Sequence, residues 1–248
     1  MWRYPLGKLI VVGIGPGNYE NMTVRADRAL RSCDTIVGYQ VYVELVREQY
    51  PGKEFLSTPM TQEAKRCRMA LEAARAGKTV AMVCSGDSGI YGMAALCYEL
   101  RGEAPEPAIE VVPGLTAACS GAALLGAPLT HDFAVISLSD RLTPWETIAS
   151  RLDHAAKADL SIVLYNPASR GRPDHLKRAC DILLRTLPAD RPCGIAESVG
   201  RTGESVRVLT LGRLRDAEVN MFCTVFIGNG STRVIGGSLV TPRGYRDV

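Results

Sequence analysis

The chain has 248 residues, 46% of them hydrophobic and 22% charged, with a formal net charge of +3. That much apolar material builds a sizeable core in one large domain or two smaller ones, which excludes a disordered chain. The small positive surplus comes from scattered basic residues and offers no footing for nucleic acid. No run reaches ~18 uninterrupted apolar residues, so no membrane span is expected. Met1 to Gly7 lacks the apolar stretch of a signal peptide. The eight cysteines form no C-x-x-C pair and mostly sit in apolar runs, as small buried hydrophobes do in a reducing compartment. Together these features predict a soluble cytoplasmic protein without a metal site.

Lys8 to Gly13 is a short apolar run ending in glycine, the pattern of a buried parallel strand. A helix is predicted over Thr23–Ser32 and a strand over Thr35–Gly38. Gln62–Ala76 reads as a helix closed by Gly77. Strand Thr79–Cys84, helix Gly89–Leu100, strand Ile109–Val112 and helix Leu115–Leu125 follow. Strands alternating with helices predict an α/β unit with a parallel sheet. Gly126 to Thr130 reads as a boundary, which gives domains at 1–128 and 129–248. The second half restarts the pattern: strand Phe133–Leu138, helix Pro144–Ala156, strand Leu160–Tyr165, helix Pro173–Thr186 and strand Cys193–Glu197. Strands at Ser205–Leu209, Phe222–Ile227 and Arg233–Ile235 have short connections, which predicts antiparallel pairing near the end. The fold class is therefore two α/β domains of similar size, with an interdomain cleft expected to take the ligand.

Three familiar patterns fail on inspection. Gly13-Ile14-Gly15-Pro16-Gly17 follows a strand, but Asn18 stands where a dinucleotide fingerprint needs glycine, and the second strand ends without an acid. This counts against a nicotinamide oxidoreductase. Gly77-Lys78-Thr79 lacks the glycine of a phosphate loop, because position 72 is Glu72. Gly86-Asp87-Ser88-Gly89 echoes a serine nucleophile motif, yet it joins a parallel strand to a helix and no histidine precedes it. What survives is a set of glycine-bearing loops after strands: residues 84–92, 113–117, 165–167 and 227–230. Ligands of open α/β sheets bind outside the carboxyl ends of the strands, and glycines there allow close backbone approach. Four such loops are expected to enclose one folded cofactor.

The motifs GIGPG at 13–17, SGDSGIYG at 85–92, PGLTA at 113–117, YNP at 165–167 and IGNG at 227–230 resemble the tetrapyrrole methylase family over nearly the whole chain. Three stretches resemble its precorrin-3B C(17)-methyltransferase branch: HDFAVISLSD at 131–140 leading to TPWE at 143–146, AESVGR at 196–201, and TPRGY at 241–245. These stretches argue against a family member of other position specificity, and the intact loops argue against an inactive carrier. The resemblance implies a homodimer that uses S-adenosylmethionine, releases S-adenosylhomocysteine, methylates carbon 17 of precorrin-3B or cobalt-factor III, and contracts the macrocycle. It implies that Asp87, Gly89, Ile90 and Tyr91 line the cofactor, with Thr116 and Ala117 nearby, and that Tyr165, Asn166, Ala196 and Asn229 complete its site. The alternative for Asp87 is a helix cap, and Tyr165 reads equally as core packing. Gly15, Pro16 and Gly17 are expected to line the tetrapyrrole trough. Asn18 replaces the aspartate that related enzymes often carry, which removes an acid from that position. Arg201 and Arg243 are candidates for the substrate's carboxylates. His131 has the most suitable ordinary pKa for the proton transfers of ring contraction, and it is also readable as a turn residue beside Asp132.

Overall fold

The computed structural model describes residues 7–245. Met1 to Leu6 lie outside them, and so does most of the segment read as lacking a signal peptide. The chain forms two compact α/β units, Met1–Thr116 and Ala117–Val248.

The first unit runs β1 (Lys8–Gly13), α1 (Val24–Ser32), β2 (Thr35–Tyr39), α2 (Gln40–Arg47), β3 (Glu54–Thr58), α3 (Glu63–Arg75), β4 (Thr79–Cys84), α4 (Ala94–Arg101) and β5 (Ala108–Val112). Its sheet has the order β3-β2-β4-β1-β5, and every pairing is parallel. The two-residue period of a strand divides β1 between two cores. Ile10 and Val12 pack with Ala26, Leu30, Val43 and Val46 of α1 and α2. Leu9 and Val11 pack with Cys67, Leu71 and Ala74 of α3 and with Ala94 and Cys97 of α4. Helix α1 starts where Thr23 Oγ1 accepts the Ala26 N–H at 3.1 Å, satisfying one donor that the helix itself cannot. Two elements go beyond the sequence expectation, α2 and β3. A third begins late: α4 starts at Ala94, five residues after the predicted Gly89.

The second unit runs α5 (Ala117–Leu125), β6 (Gly126–Ala127), β7 (Phe133–Ser137), α6 (Trp145–Lys157), β8 (Ser161–Tyr165), α7 (His175–Leu183), β9 (Pro192–Glu197), β10 (Ser205–Thr210), α8 (Leu211–Leu214), β11 (Cys223–Ile227), β12 (Arg233–Ile235) and β13 (Ser238–Val240). The main sheet has the order β10-β9-β11-β8-β7. Only β7 and β8 pair in parallel. The contacts β8–β11, β11–β9 and β9–β10 are antiparallel, as the short connections predict. One face packs on α6, α7 and α8, and the other, through Val163, Ala196 and Phe226, packs on Ala118, Ala122 and Leu125 of α5. That packing places α5 in the second unit, so the chain divides between Thr116 and Ala117, while the sequence reading sets the boundary after Pro128. A small third sheet joins β12, β13 and β6.

Seven of the eight cysteines are buried and Cys119 is exposed. Burial pushes the Cys84 and Cys180 thiols up to about 12, which suppresses the reactive thiolate. Iodoacetamide at neutral pH is expected to add a single carbamidomethyl group, at Cys119, and peptide mass mapping reads the site directly. Rapid labelling of a second cysteine in the native protein contradicts this packing.

Candidate functional site

In the first unit the loops after β1, β4 and β5 meet backbone to backbone. Gly15 and Gly86 form an isolated bridge, with the Gly15 N–H donating to Gly86 O at 3.1 Å and the Gly86 N–H to Gly15 O at 2.7 Å. A Cβ placed on Gly13 would meet Gly114 N at 2.6 Å and Gly86 O at 2.7 Å, and one on Gly114 would meet Gly86 O at 2.1 Å. No side chain fits at either position. Gly15 and Gly86 also take the left-handed conformation, with φ of 73° and 67°.

Asp87 ties this junction together. Its Oδ1 accepts the N–H groups of Gly89 at 2.7 Å and Ile90 at 3.0 Å, and its Oδ2 accepts the Gly114 N–H at 2.9 Å. The cap reading of Asp87 is therefore corrected in part: it closes a turn, not a helix, because α4 begins only at Ala94. That turn holds Tyr91 at φ 53°, a costly conformation for a residue with a side chain. Ile90 and Tyr91 stand exposed at 43% and 56% on the carboxyl side of β4. Ser88 is fully buried and donates to Val112 O at 3.0 Å, which makes it a packing residue with no nucleophilic access. Asn18 accepts from Asn21 Nδ2 at 2.6 Å within its own turn.

The second unit gathers another group at the carboxyl edge of β8 and β9. The Tyr165 hydroxyl accepts the Ala118 N–H at 2.7 Å, satisfying a free donor in the first turn of α5. Asn166 and Ser198 follow β8 and β9 with φ of 54° and 52°. Asn166 Nδ2 donates to Ser137 Oγ at 2.9 Å, beyond which lies Asp140. Ala196 is fully buried on the face that carries Tyr165, and Arg201 lies in the loop beyond, its guanidinium 5.6 Å from the Phe222 ring centre. Thr116 and Ala117, at the division of the chain, are both half-buried.

Two of the sequence-predicted residues do not join this edge. Strand β11 runs antiparallel to β8, with Ile227 opposite Ile162, so Asn229 lies beside the amino end of β8. There its Oδ1 accepts from Ser231 N, Ser231 Oγ and Thr232 Oγ1. Thr232 Oγ1 in turn lies 2.8 Å from Thr241 Oγ1, which donates to Pro128 O at 2.7 Å. Asn229 thus anchors the tail. His131 is exposed just before β7, where the Ser161 N–H donates to the Asp132 carbonyl, also at the amino edge. Arg243 is exposed on the tail.

The sequence reading passed over two features. His175 is buried with Nε2 3.0 Å from Asp140 Oδ2, and that imidazole holds the Asp140 carboxyl below its ordinary value. Trp145 meets the His175 ring edge-on at 5.0 Å and lies under the Arg178 guanidinium at 3.8 Å. In the first unit Arg66 is buried at the carboxyl edge. A search for short motifs misses both features, because their members lie far apart in sequence.

The sequence profile of the family Tetrapyrrole (Corrin/Porphyrin) Methylases matches residues 8–215. The chain belongs to the tetrapyrrole methylase family. Among members of that family, it is 45% identical over 238 residues to a probable cobalt-factor III C(17)-methyltransferase of Salmonella typhimurium, covering 96% of this chain and 99% of that protein. It is 44% identical over 245 residues to a cobalt-factor III methyltransferase of Priestia megaterium, covering 97% of this chain but only 45% of that longer protein. Among solved structures it matches the crystal structure of the methyltransferase CobJ with a TM-score of 0.88 and 36% identity, over 95% of this chain and 100% of that one.

Substitution of the loop-tying residue separates its two oxygens. In Asp87→Asn the amide keeps one acceptor for Gly89 and Ile90 but turns an N–H toward Gly114. The variant is expected to lose about 1–3 kcal/mol of stability in urea unfolding, the cost of a buried donor left without its charged partner. Tyr165→Phe removes the acceptor for Ala118, and its expected loss is about 0.5–2 kcal/mol, on the scale of a removed helix cap. Wild-type stability in either variant would detach that side chain from the scaffold role.

Proposed function

We propose that this tetrapyrrole methylase transfers the methyl group of S-adenosylmethionine to carbon 17 of cobalt-factor III or precorrin-3B, with contraction of the macrocycle, in cobalamin biosynthesis. The observation that carries this reading is the end-to-end match to the Salmonella protein named for that reaction. The chain's own loops fit such a methyl donor. Ile90 and Tyr91 offer apolar surface where the junction at Gly13, Gly86 and Gly114 brings backbone close.

S-adenosylmethionine supplies an electrophilic methyl on a sulfonium, so this chemistry needs no protein nucleophile. The protein's task is placement and exclusion of water. Gly89, Ile90 and Tyr91, fixed by Asp87, are the residues of the first unit proposed to hold the donor, with Thr116 and Ala117 beside them. Tyr165, Asn166 and Ala196 are the proposed contributors of the second unit. The positions Gly15, Pro16, Gly17 and Arg201 are assigned to the tetrapyrrole. Because three N–H donors already occupy the Asp87 carboxylate, its contribution to the donor is the shape of the loop more than its charge. His131 and Asn229, which sit at the other edge of the second sheet, are left out of the assignment. A cytoplasmic homodimer completes the reading, and light scattering of the purified protein gives its subunit number.

The test is anaerobic incubation with S-adenosylmethionine and, separately, precorrin-3B and cobalt-factor III, followed by mass spectrometry. One added methyl group and release of S-adenosylhomocysteine is the expected result, and the accepted tetrapyrrole identifies the pathway branch. Binding of the donor without transfer to either tetrapyrrole would instead assign a different ring position.

A further inference from the structure

Arg66 lies in the first turn of α3 and is 4% exposed. Its Nε donates to Thr58 Oγ1 at 3.0 Å and its Nη2 to Pro59 O at 3.2 Å. Nη1 reaches the Met93 sulfur at 3.9 Å, and the guanidinium carbon is 5.8 Å from the Tyr39 ring centre. All of these partners are uncharged. Among the described residues no carboxylate lies within ion-pair distance of Arg66, whereas Arg25, Arg31, Arg47, Arg191 and Arg215 each have at least one.

Two physical terms disfavour this placement. A buried ion is costly unless paired, and a cation in the first turn of a helix opposes the helix dipole. Packing alone is poor compensation, since a methionine or leucine would fill the space without either cost. The surroundings lead toward a ligand. Thr58, Pro59 and Tyr39 end β3 and β2 at the carboxyl edge of the sheet, the edge at which β1 and β4 also end. Met60 is 43% exposed beside them, and Thr61 is held at φ 70°. The Nη1 contact is the weakest of the three, and it is made to a flexible thioether on a half-buried residue. Met93 belongs to the segment that carries Gly89, Ile90 and Tyr91. An anion reaching Nη1 therefore displaces a movable thioether and no backbone group, while Thr58 and Pro59 keep the fork oriented.

We infer that Arg66 binds a carboxylate of the tetrapyrrole substrate. The inference rests on the tetrapyrrole reading above and adds to it a specific anion-binding residue in the first unit. The planar guanidinium suits a carboxylate's two oxygens, and N–H groups remain for them beyond the three contacts described.

The test uses binding alone, so it stands apart from methyl transfer. Uroporphyrin III, an octa-acid, and its octamethyl ester are titrated into the full chain in one detergent-containing buffer without methyl donor, and ring absorbance is followed. Arg66→Gln is expected to weaken octa-acid binding about tenfold or more, the scale of a lost charge-assisted pair, and to leave ester binding unchanged. Arg66→Lys, which keeps the charge but not the fork, is expected to fall between, and it carries the test if the glutamine variant does not fold. Equal weakening of both ligands would reduce Arg66 to a staple between Thr58, Pro59 and Met93. Unchanged octa-acid binding in both variants, or none by the wild type, likewise overturns the inference. Arg66-dependent binding without methyl transfer would leave it standing and defeat only the assigned reaction.

Discussion

The close approach of three backbones at Gly13, Gly86 and Gly114 is the constraint on which the first unit's candidate site depends. Strand order makes it possible, since β4, β1 and β5 are neighbours and their carboxyl ends open side by side. Glycine makes it physical, because a single added carbon would sit 2.1 Å from a carbonyl oxygen at Gly114. The Asp87 carboxylate then seals the junction by reaching from the β4 loop to the N–H that follows β5. Gly89, Ile90 and Tyr91 inherit their positions from this knot, and the strained Tyr91 conformation persists because its surroundings fix it.

The second unit solves the same problem with side chains. Tyr165 holds the start of α5 by its hydroxyl, while Asn166 and Ser198 turn the chain sharply after β8 and β9. Four of the five described non-glycine residues with positive φ (Thr61, Tyr91, Asn166 and Ser198) occupy loops at the carboxyl edges of the two main sheets. Asp159, the fifth, lies at the amino end of β8 and binds the Gly230 N–H. That end is devoted to holding the tail, which explains how a glycine-bearing turn at 227–230 serves structure while similar turns elsewhere serve a candidate site.

The parts of this architecture that were legible in the sequence are those where burial is complete. β1, β4 and β8 are unbroken apolar runs because both faces of their sheets are covered, and the sequence pattern bounds them nearly to the residue. α2 and β3 leave no such pattern, since α2 buries only Val43 and Val46 in two turns and β3 is an edge strand whose burial is partial. The sequence starts α4 too early because the Asp87 turn looks like a capped helix, while its positive φ at Tyr91 is not visible there. His131 attracts attention by the ordinary pKa of a histidine although it precedes its strand, and Asn229 by its glycine turn, because a sequence gives the ends of a strand but not its direction in the sheet. In an antiparallel neighbour the carboxyl end points to the opposite edge. Arg66 and the Asp140–His175 pair were invisible for a different reason: their partners come from separate elements.

Charge is distributed accordingly. Three ion pairs in the described residues, Arg31–Asp27, Arg47–Glu44 and Lys157–Asp153, lie within single helices at the surface, where water screens such pairs and leaves them little weight in stability. They solubilise the surface and leave the fold to its apolar cores. Against that background a buried cation stands out by its isolation more than by its strength. His175, which is buried, and Arg191, which is half-buried, each have a carboxylate beside them, whereas Arg66 is buried at the unfavourable end of a helix with uncharged partners alone. Methyl transfer from a sulfonium asks little of acids and bases but much of position. A large polycarboxylate ring is positioned best by fixed cations at the edge where the loops are already fixed. The placement of Arg66 at that edge, held by uncharged partners from two strands and a loop, is what such a requirement leaves in a structure.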